Sequence, residues 1–379
     1  MVKPLTEEHK LLQKSAKDFV AEKLPVANLR KLRDEKSETG YDADLWREMV
    51  ELGWASINIP EDFGGLGFGY QGLGLILEET GRELSASPLM SNVVLSTAVI
   101  TEAASQSTKA ELLGQIAGGE TLIATAIDEG THHDPMGITC KATATESGYR
   151  LDGSKNFVLD GHTADKIIVA ARTSGESGDE DGISLFLLDK ENKGLQVNRL
   201  HMVDSRNAAR IILEGAEVGK DALIGEEGKA GPALNKALDI ARICVAAEML
   251  GATRKAFEMT IDWLKERKQF GVAIGTFQAL QHRAAHMFSE IELCKAVVEE
   301  GLSAIDEDSD KLSLLASLAK ARLGETLTLV SNEAVQLHGG IGVTDEHDIG
   351  LYLKRARVQE QTFGSSTFHQ DRYATIKGY

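Results

Sequence analysis

The sequence predicts an α+β chain in three stretches: an N-terminal helical segment, a central β domain and a C-terminal four-helix bundle. Two observations carry that expectation. Apolar residues recur at helical spacing at both ends of the chain and change to period two, or to short β-branched runs, in the middle. In addition, no G-x-G-x-x-G opens a βαβ unit and no G-x-x-x-x-G-K-[ST] loop occurs, so the two commonest nucleotide-binding architectures are excluded.

From Leu5 to about Gly119 the helical period is carried by Leu11, Leu12, Phe19 and Val20, and again by Leu73, Ile76, Leu77 and Leu84. Between these helices Ile59-Pro60-Glu61-Asp62-Phe63-Gly64-Gly65-Leu66-Gly67 reads as a turn-rich loop. From Thr121 to about Gly225, strands are expected at Ile138–Ala144, Lys166–Ala171 and Ser184–Leu188, separated by turn clusters such as Ser174-Gly175-Glu176-Ser177-Gly178. After Gly231 long helices are expected near 233–267, 277–304, 311–338 and 348–361, with Asp306-Glu307-Asp308-Ser309-Asp310 as a solvated corner. The implied domains are 1–120, 121–230 and 231–379.

With 379 residues, 42% hydrophobic and 26% charged, the chain can bury a substantial core. A formal charge of −17 and 5% aromatic residues argue against a nucleic-acid partner, which needs phosphate-neutralising clusters or stacking platforms. No apolar run approaches the roughly 18 residues that span a bilayer. The opening MVKPLTEEHK has neither an apolar signal core nor an Arg-rich transit pattern, so a cytoplasmic protein without a membrane partner is expected. Cys140, Cys244 and Cys294 are odd in number and widely spaced, which reads as buried inert thiols. His132 and His133 are adjacent in a loop with no third ligand at fixed spacing, so no metal site is expected.

Two C-terminal motifs narrow the function. Arg267-Lys268-Gln269-Phe270-Gly271, followed by Phe277-Gln278, and Gln336-Leu337-His338-Gly339-Gly340-Ile341-Gly342 together resemble the signatures of the acyl-CoA dehydrogenase family. The order of segments and the loop Pro60-Glu61-Asp62-Phe63-Gly64-Gly65 extend the resemblance over essentially the whole chain. It implies a flavoprotein oxidoreductase of fatty-acid and lipid metabolism, with FAD extended between the β domain and the bundle and its far end reaching a neighbouring subunit. Arg267 would meet the pyrophosphate, since a permanently charged guanidinium fork suits paired phosphate oxygens. Gln269 and Gln278 would offer amides nearby, with Phe270 and Phe277 in the same set. Gln336, Leu337, Gly339 and Gly340 would bring a side chain and bare backbone to the cofactor, where a Cβ would block the approach.

In the β domain Thr125-Ala126-Ile127-Asp128-Glu129 resembles the strand whose backbone binds the flavin ring, which assigns Thr125, Ile127 and Asp128 to it. Asn156-Phe157-Val158-Leu159-Asp160-Gly161 resembles the strand stacking beneath that ring, which assigns Phe157 and Leu159; Ser365 and Thr367 complete the implied cofactor set. Here the chain departs from the family. Asp128-Glu129-Gly130-Thr131-His132-His133-Asp134 replaces Thr-Glu-Pro and Gly-x-Gly-Ser-Asp and aligns one residue shorter, and Phe157-Val158-Leu159 replaces Trp-x-Thr, keeping an aromatic face but losing a hydroxyl donor.

On the substrate side Asp239 and Arg242 resemble the Asp-x-x-Arg that contacts the CoA moiety and borders the active site, with Gly364 in the same implied substrate-binding set; an intrahelical ion pair is the plain alternative. The family reaction removes an α-proton with a glutamate while the β-hydrogen goes to flavin N5. That glutamate usually precedes a glycine after the last bundle helix, where this chain has Phe363 before Gly364. A second group of members places it immediately before the Arg of Asp-x-x-Arg, where this chain has Ala241. Glu248 shares that helix face but lies about 10 Å further along the axis, and it is the remaining candidate base. Glu360 and Asp128 are near the site in sequence, but Glu360 points elsewhere from its helix.

Around Phe363 the chain resembles small subunits of pimeloyl-CoA-type dehydrogenases, in some of which a partner subunit supplies the base. The resemblance therefore implies one of three activities. The first is α,β-dehydrogenation of an acyl-CoA by an FAD enzyme whose base is not identified. The second is a lyase using the same pocket, for example to remove sulfite from 3-sulfinopropionyl-CoA. The third is a non-catalytic FAD-binding subunit of a heteromeric dehydrogenase. The implied assembly is a homotetramer or an α2β2 heterotetramer, and the implied electron acceptor is an electron-transferring flavoprotein.

Overall fold

The computed structural model describes residues 5–379. Its N-terminal part is helical: α1 (Glu7–Lys23), α2 (Val26–Asp34), α3 (Ala43–Glu51), α4 (Gly69–Arg82), a π-helical turn at Leu89–Ser96 that runs into α5 (Thr97–Ala103), and α6 (Gln106–Ala117). The central strands are β1 (Ile123–Ala126), β2 (Lys141–Ala144), β3 (Gly148–Leu159), β4 (Lys166–Arg172), β5 (Ile183–Asp189), β6 (Leu195–His201), β7 (Asn207–Gly219) and β8 (Leu223–Ile224). They form one sheet in the order β6-β7-β3-β2-β4-β5-β8, with β1 added parallel to β4. The C-terminal part is α7 (Gly231–Glu266), a small hairpin of β9 (Lys268–Gln269) and β10 (Val272–Ala273), α8 (Gln278–Asp306), α9 (Leu312–His338), α10 (Ile349–Gln361) and α11 (Ser366–Lys377). The expected order of helical segment, β domain and helical bundle is thus the observed one. Among the described residues no helix is long and apolar enough to cross a membrane.

By packing, the chain falls into two compact units. One comprises the residues through Lys31, 70–85 and 242–379, and it holds α1, α4, most of α7 and α8 to α11. Its interior is set by close helix contacts. A Cβ on Gly251 of α7 would stand 1.8 Å from the Glu78 carbonyl oxygen of α4, and one on Gly81 of α4 would stand 2.0 Å from the Glu248 carbonyl oxygen of α7. Reciprocal glycines therefore let the two backbones touch. Ion pairs frame the crossing: Arg254 with Glu78, Lys255 Nζ with Glu83 at 2.7 Å, and Arg82 with Glu258. Around α9 the helices α8, α10 and α11 complete the bundle, over a stripe that includes Ala316, Leu323, Leu327, Val330 and Ala334.

The other unit, residues 32–69 and 86–241, holds the sheet. Its centre is apolar because β4 and β5 are buried along almost their whole length, as Ile167–Ala171 and Leu185, Phe186 and Leu188 require. Arg172 ends β4 inside this unit. Its guanidinium donates to the carbonyls of Met136, Ile138, Asp179 and Asp181 at 2.9–3.1 Å, so one buried cation pins two loops.

Substituting Gly251→Ala drives a methyl into backbone that cannot retreat. A loss of about 2–3 kcal/mol in unfolding free energy is expected by denaturant titration. An unchanged midpoint would mean the α4–α7 crossing is looser than described.

Candidate functional site

The β3 strand carries its aromatic on a bulge. The β3–β7 register shifts between Lys155 and Val158, and Phe157 there adopts φ +53. A bulge re-aims a side chain, and the Phe157 ring is turned outward, 47% exposed, while Val158 is buried. Beside it the Asp128–Glu129 corner is held in place from beneath. Asn156 N–H donates to the Asp128 carbonyl at 2.7 Å, and the fully buried Lys155 ammonium donates to Glu129 Oε1 at 2.7 Å and to the Ile127 carbonyl at 2.9 Å. Burial alone would raise the Glu129 pKa. The Lys155 charge, with hydrogen bonds from Lys155, Thr139 and the Cys140 N–H, overcomes burial and leaves it below the usual carboxylate range.

The unusual Thr131-His132-His133-Asp134 loop has a structural use. His133 Nδ1 lies 2.8 Å from Asp128 Oδ2, and Asp134 N–H donates to Asp128 Oδ1 at 3.1 Å, so the Asp128 carboxylate closes the loop on itself. Among the described residues no group of three His, Cys, Asp or Glu could hold a metal ion. All three cysteines are buried, and burial pushes the Cys140 thiol up to about 11. Thr125 spends its hydroxyl internally, 2.9 Å from Ser96 Oγ, which leaves its backbone for any ligand. Sequence reasoning missed why β1 is so firmly placed. Asn92 Oδ1 accepts from Ile123 N–H at 2.9 Å and Ser96 Oγ donates to the Ile123 carbonyl at 2.7 Å, so two side chains of the π-helical turn replace a strand on the free edge of β1. Asn and Ser within a buried apolar run were the available signal.

In the bundle unit the two motif regions supply open, unsatisfied surface. The Arg267 guanidinium lies 5.8 Å from the Trp263 ring, and Trp263 stacks on His338 at 5.2 Å; Arg267 has no ion-pair partner among the described residues. Gly339 adopts φ +67, and neither it nor Gly340 has any atom within 4 Å of where a Cβ would be. Gly339 needs glycine for its φ alone, and both positions face open space. Phe270 is 94% exposed at φ +55, with Phe277 at 6.1 Å, and Gln278 opens α8 next to them. Gln269 turns its amide to the Lys268 carbonyl at 2.8 Å. Gln336 and Leu337 lie on the last turn of α9, and Ser365 caps α11 by accepting from Phe368 N–H at 3.2 Å, with Thr367 exposed beside it.

The turn at Phe363 is the most constrained part of the same unit. Phe363 is a buried phenylalanine, 9% exposed, at φ +58, followed by Gly364 at φ +110. Its carbonyl accepts from Arg242 Nε at 3.2 Å and faces His369 Nε2 at 2.9 Å. Arg242 is itself buried and lies 5.7 Å from the Phe368 ring. Just upstream, the buried Lys320 ammonium donates to the Gln359 and Glu360 carbonyls at 2.8 and 3.2 Å, capping the C-terminus of α10. Burial lowers the Lys320 pKa to about 7. Glu360 accepts from Ser366 N–H at 2.9 Å at the start of α11, and Glu248 lies 3.7 Å from Arg355, both buried. Ala241 and Asp239 are buried on α7.

Models of the "Acyl-CoA dehydrogenase" N-terminal, middle and C-terminal domains match residues 6–120, 122–215 and 231–375. The chain is 30% identical over 361 residues to "Acyl-CoA dehydrogenase IpdE2" of Mycolicibacterium smegmatis, covering 95% of this chain and 96% of that protein. It is 29% identical over 376 residues to "3-(aryl)acrylate reductase" of Clostridium sporogenes, covering 96% and 97%. A solved structure of the ChsE4-ChsE5 complex from Mycobacterium tuberculosis superposes with a TM-score of 0.88 at 25% identity, over 99% of each chain.

Lys155→Met strands the Glu129 carboxylate, and a loss of about 3 kcal/mol is expected at neutral pH. Because the folded Glu129 pKa is depressed, this stabilisation is present above the usual carboxylate pKa and fades as pH falls through the lower folded value, so the two proteins should converge in acid once the pH is below that folded value. A gap that persists in acid would contradict the assignment. For Lys320 the folded pKa is depressed from an unfolded value of 10.5 to about 7. The folded state therefore holds fewer protons between these values, and the stability of the wild type relative to Lys320→Met should rise as pH goes from 7 to 10. A flat difference would mean that Lys320 stays charged.

Proposed function

Because this chain belongs to the acyl-CoA dehydrogenase family, we propose that it is an FAD-binding subunit acting on an acyl-CoA thioester, and that the catalytic carboxylate comes from a homologous partner subunit. The observation that carries this reading is the Phe363 turn. The backbone geometry is held by Arg242 and His369, yet the side chain in the glutamate's place is a buried phenyl ring that cannot take a proton.

The residues present fit FAD. Arg267, without an ion-pair partner among the described residues, would meet the pyrophosphate, and the open faces of Gly339 and Gly340 leave space for close approach. Phe157, bulged outward, would lie against the flavin ring, and the backbone of Thr125, Ile127 and Asp128 would face its polar edge. Gln269, Phe270, Phe277, Gln278, Gln336, Leu337, Ser365 and Thr367 would complete the contacts. When bound, FAD supplies a two-electron acceptor for the hydrogen leaving the acyl β-carbon.

The chain's own residues bind and orient. Asp239, Arg242 and Gly364 would position the thioester, and the Phe363 ring would exclude water where the α-carbon sits. Glu248 lies beside Arg355 and Glu360 caps α11, which supports a base supplied from outside the chain. The ChsE4-ChsE5 complex is a pairing of the expected kind. An electron-transferring flavoprotein is the proposed acceptor.

The test is an anaerobic titration of the purified chain with a panel of acyl-CoAs, following the oxidised flavin band. The wild type alone should retain its colour, whereas Phe363→Glu, or the wild type co-purified with a glutamate-bearing homologue, should bleach with at least one of them. Bleaching of the wild type alone overturns the proposal, because a base must then lie within the chain. Sulfite release from 3-sulfinopropionyl-CoA without an electron acceptor would overturn it in favour of the lyase reading.

A further inference from the structure

On α10 the residues Arg355 and Gln359 are four apart and share one face, and Phe363 follows Gln359 by the same spacing just beyond the end of the helix. The two ends of this face are matched to α7: Arg355 lies 3.7 Å from Glu248, and the Phe363 carbonyl accepts from Arg242 Nε at 3.2 Å. The two segments therefore run antiparallel, and Gln359 falls midway between these contacts. The stretch of α7 between Arg242 and Glu248 is Ile243, Cys244, Val245, Ala246 and Ala247, all buried, and it offers no side-chain oxygen or nitrogen.

Gln359 is completely buried, at 0% exposure. Its backbone carbonyl is taken by Lys320, but neither Nε2 nor Oε1 of its side chain has a hydrogen-bond partner. Buried amides in folded proteins are almost always matched, by protein, by water or by a ligand. Here an unmatched donor and an unmatched acceptor lie together opposite the apolar stretch 243–247 of α7, one helical turn before the position at which the family's carboxylate would meet the acyl α-carbon.

We propose that Gln359 is a specificity-determining residue, and that its amide recognises a neutral oxygen function on the acyl chain, a hydroxyl in the first instance, a few carbons beyond the α-carbon. A hydroxyl donates and accepts at once, which is what the paired vacancies of the amide require. A saturated hydrocarbon chain would leave both unmet. A site built to hydrogen-bond a substrate group discriminates against the analogue lacking it more sharply than an apolar pocket does.

The inference rests on the acyl-CoA reading above, and binding to the flavin-loaded protein separates the two. Calorimetric titration would compare octanoyl-CoA with a series of octanoyl-CoAs carrying one hydroxyl at successive carbons. At least one hydroxylated probe should bind about tenfold more tightly than octanoyl-CoA. Gln359→Met, of similar volume, should erase that preference while retaining octanoyl-CoA binding, and Gln359→Leu serves if the methionine variant fails to fold. Equal affinity of the wild type for all probes overturns the inference and leaves the acyl-CoA reading standing. A preference that survives Gln359→Met, accompanied by a higher melting temperature, also overturns it and assigns the amide to a buried water. If no acyl-CoA binds, the acyl-CoA reading falls and this inference with it.

Discussion

A single left-handed turn organises the junction of α10 and α11. A phenylalanine at φ +58 costs on the order of 1 kcal/mol or more, so it persists only when its surroundings determine it several times over. Here they do. Arg242 and His369 share the Phe363 carbonyl, and Lys320 closes the end of α10. Gly364 is pressed so closely by Phe368 and His369 that a Cβ would come within 2.6 and 2.7 Å of them. The frame that presents a side chain at this position is complete; under the function proposed above, only the chemistry of that side chain differs from what the family reaction needs, and a partner supplies the proton acceptor.

Buried charge follows the same logic. Arg242, Lys320 and Arg355 are each almost wholly buried in the bundle unit, and Lys155 and Arg172 in the sheet unit. As pairs they add little net stability, because taking a cation out of water costs about as much as its contacts return, although removing one partner alone strands the other. What each does is fix geometry: Arg172 ties two loops by their carbonyls, Lys155 holds the Asp128–Glu129 corner, and Lys320 and Arg242 set the height and rotation of the Phe363 turn. Polar groups used in this way specify one arrangement among several of similar energy, which a site that must hold a thioester against a flavin requires.

Much of this was legible in the residues. Periodicity placed the long helices α7, α8 and α9 within a few residues of where they lie, because each buries a continuous apolar stripe. The glycines at 339 and 340 and the arginine at 267 carry the family resemblance by type and order, and the two glycines face open space. Other features could not be read. The π-helical turn at Leu89–Ser96 is set by Asn92 and Ser96 reaching β1, a contact between residues about 30 apart in sequence that no local pattern encodes. The outward swing of Phe157 depends on a bulge opposite β7, and the role of His133 depends on the fold of its own loop around Asp128. The α11 helix after Gly364 was not foreseen, since its mean burial is low and its start is fixed by the Ser365 cap.

The central claim is that no group of this chain removes a proton from the acyl α-carbon, and isotope exchange examines it without requiring flavin reduction. The flavin-loaded chain would be incubated in D2O with a 3-thia-acyl-CoA, which presents an acidic α-hydrogen but cannot be dehydrogenated in the ordinary way, and deuterium uptake would be followed by mass spectrometry. The account predicts uptake no faster than in buffer for the wild type and clear uptake for Phe363→Glu. Rapid uptake by the wild type alone would contradict it.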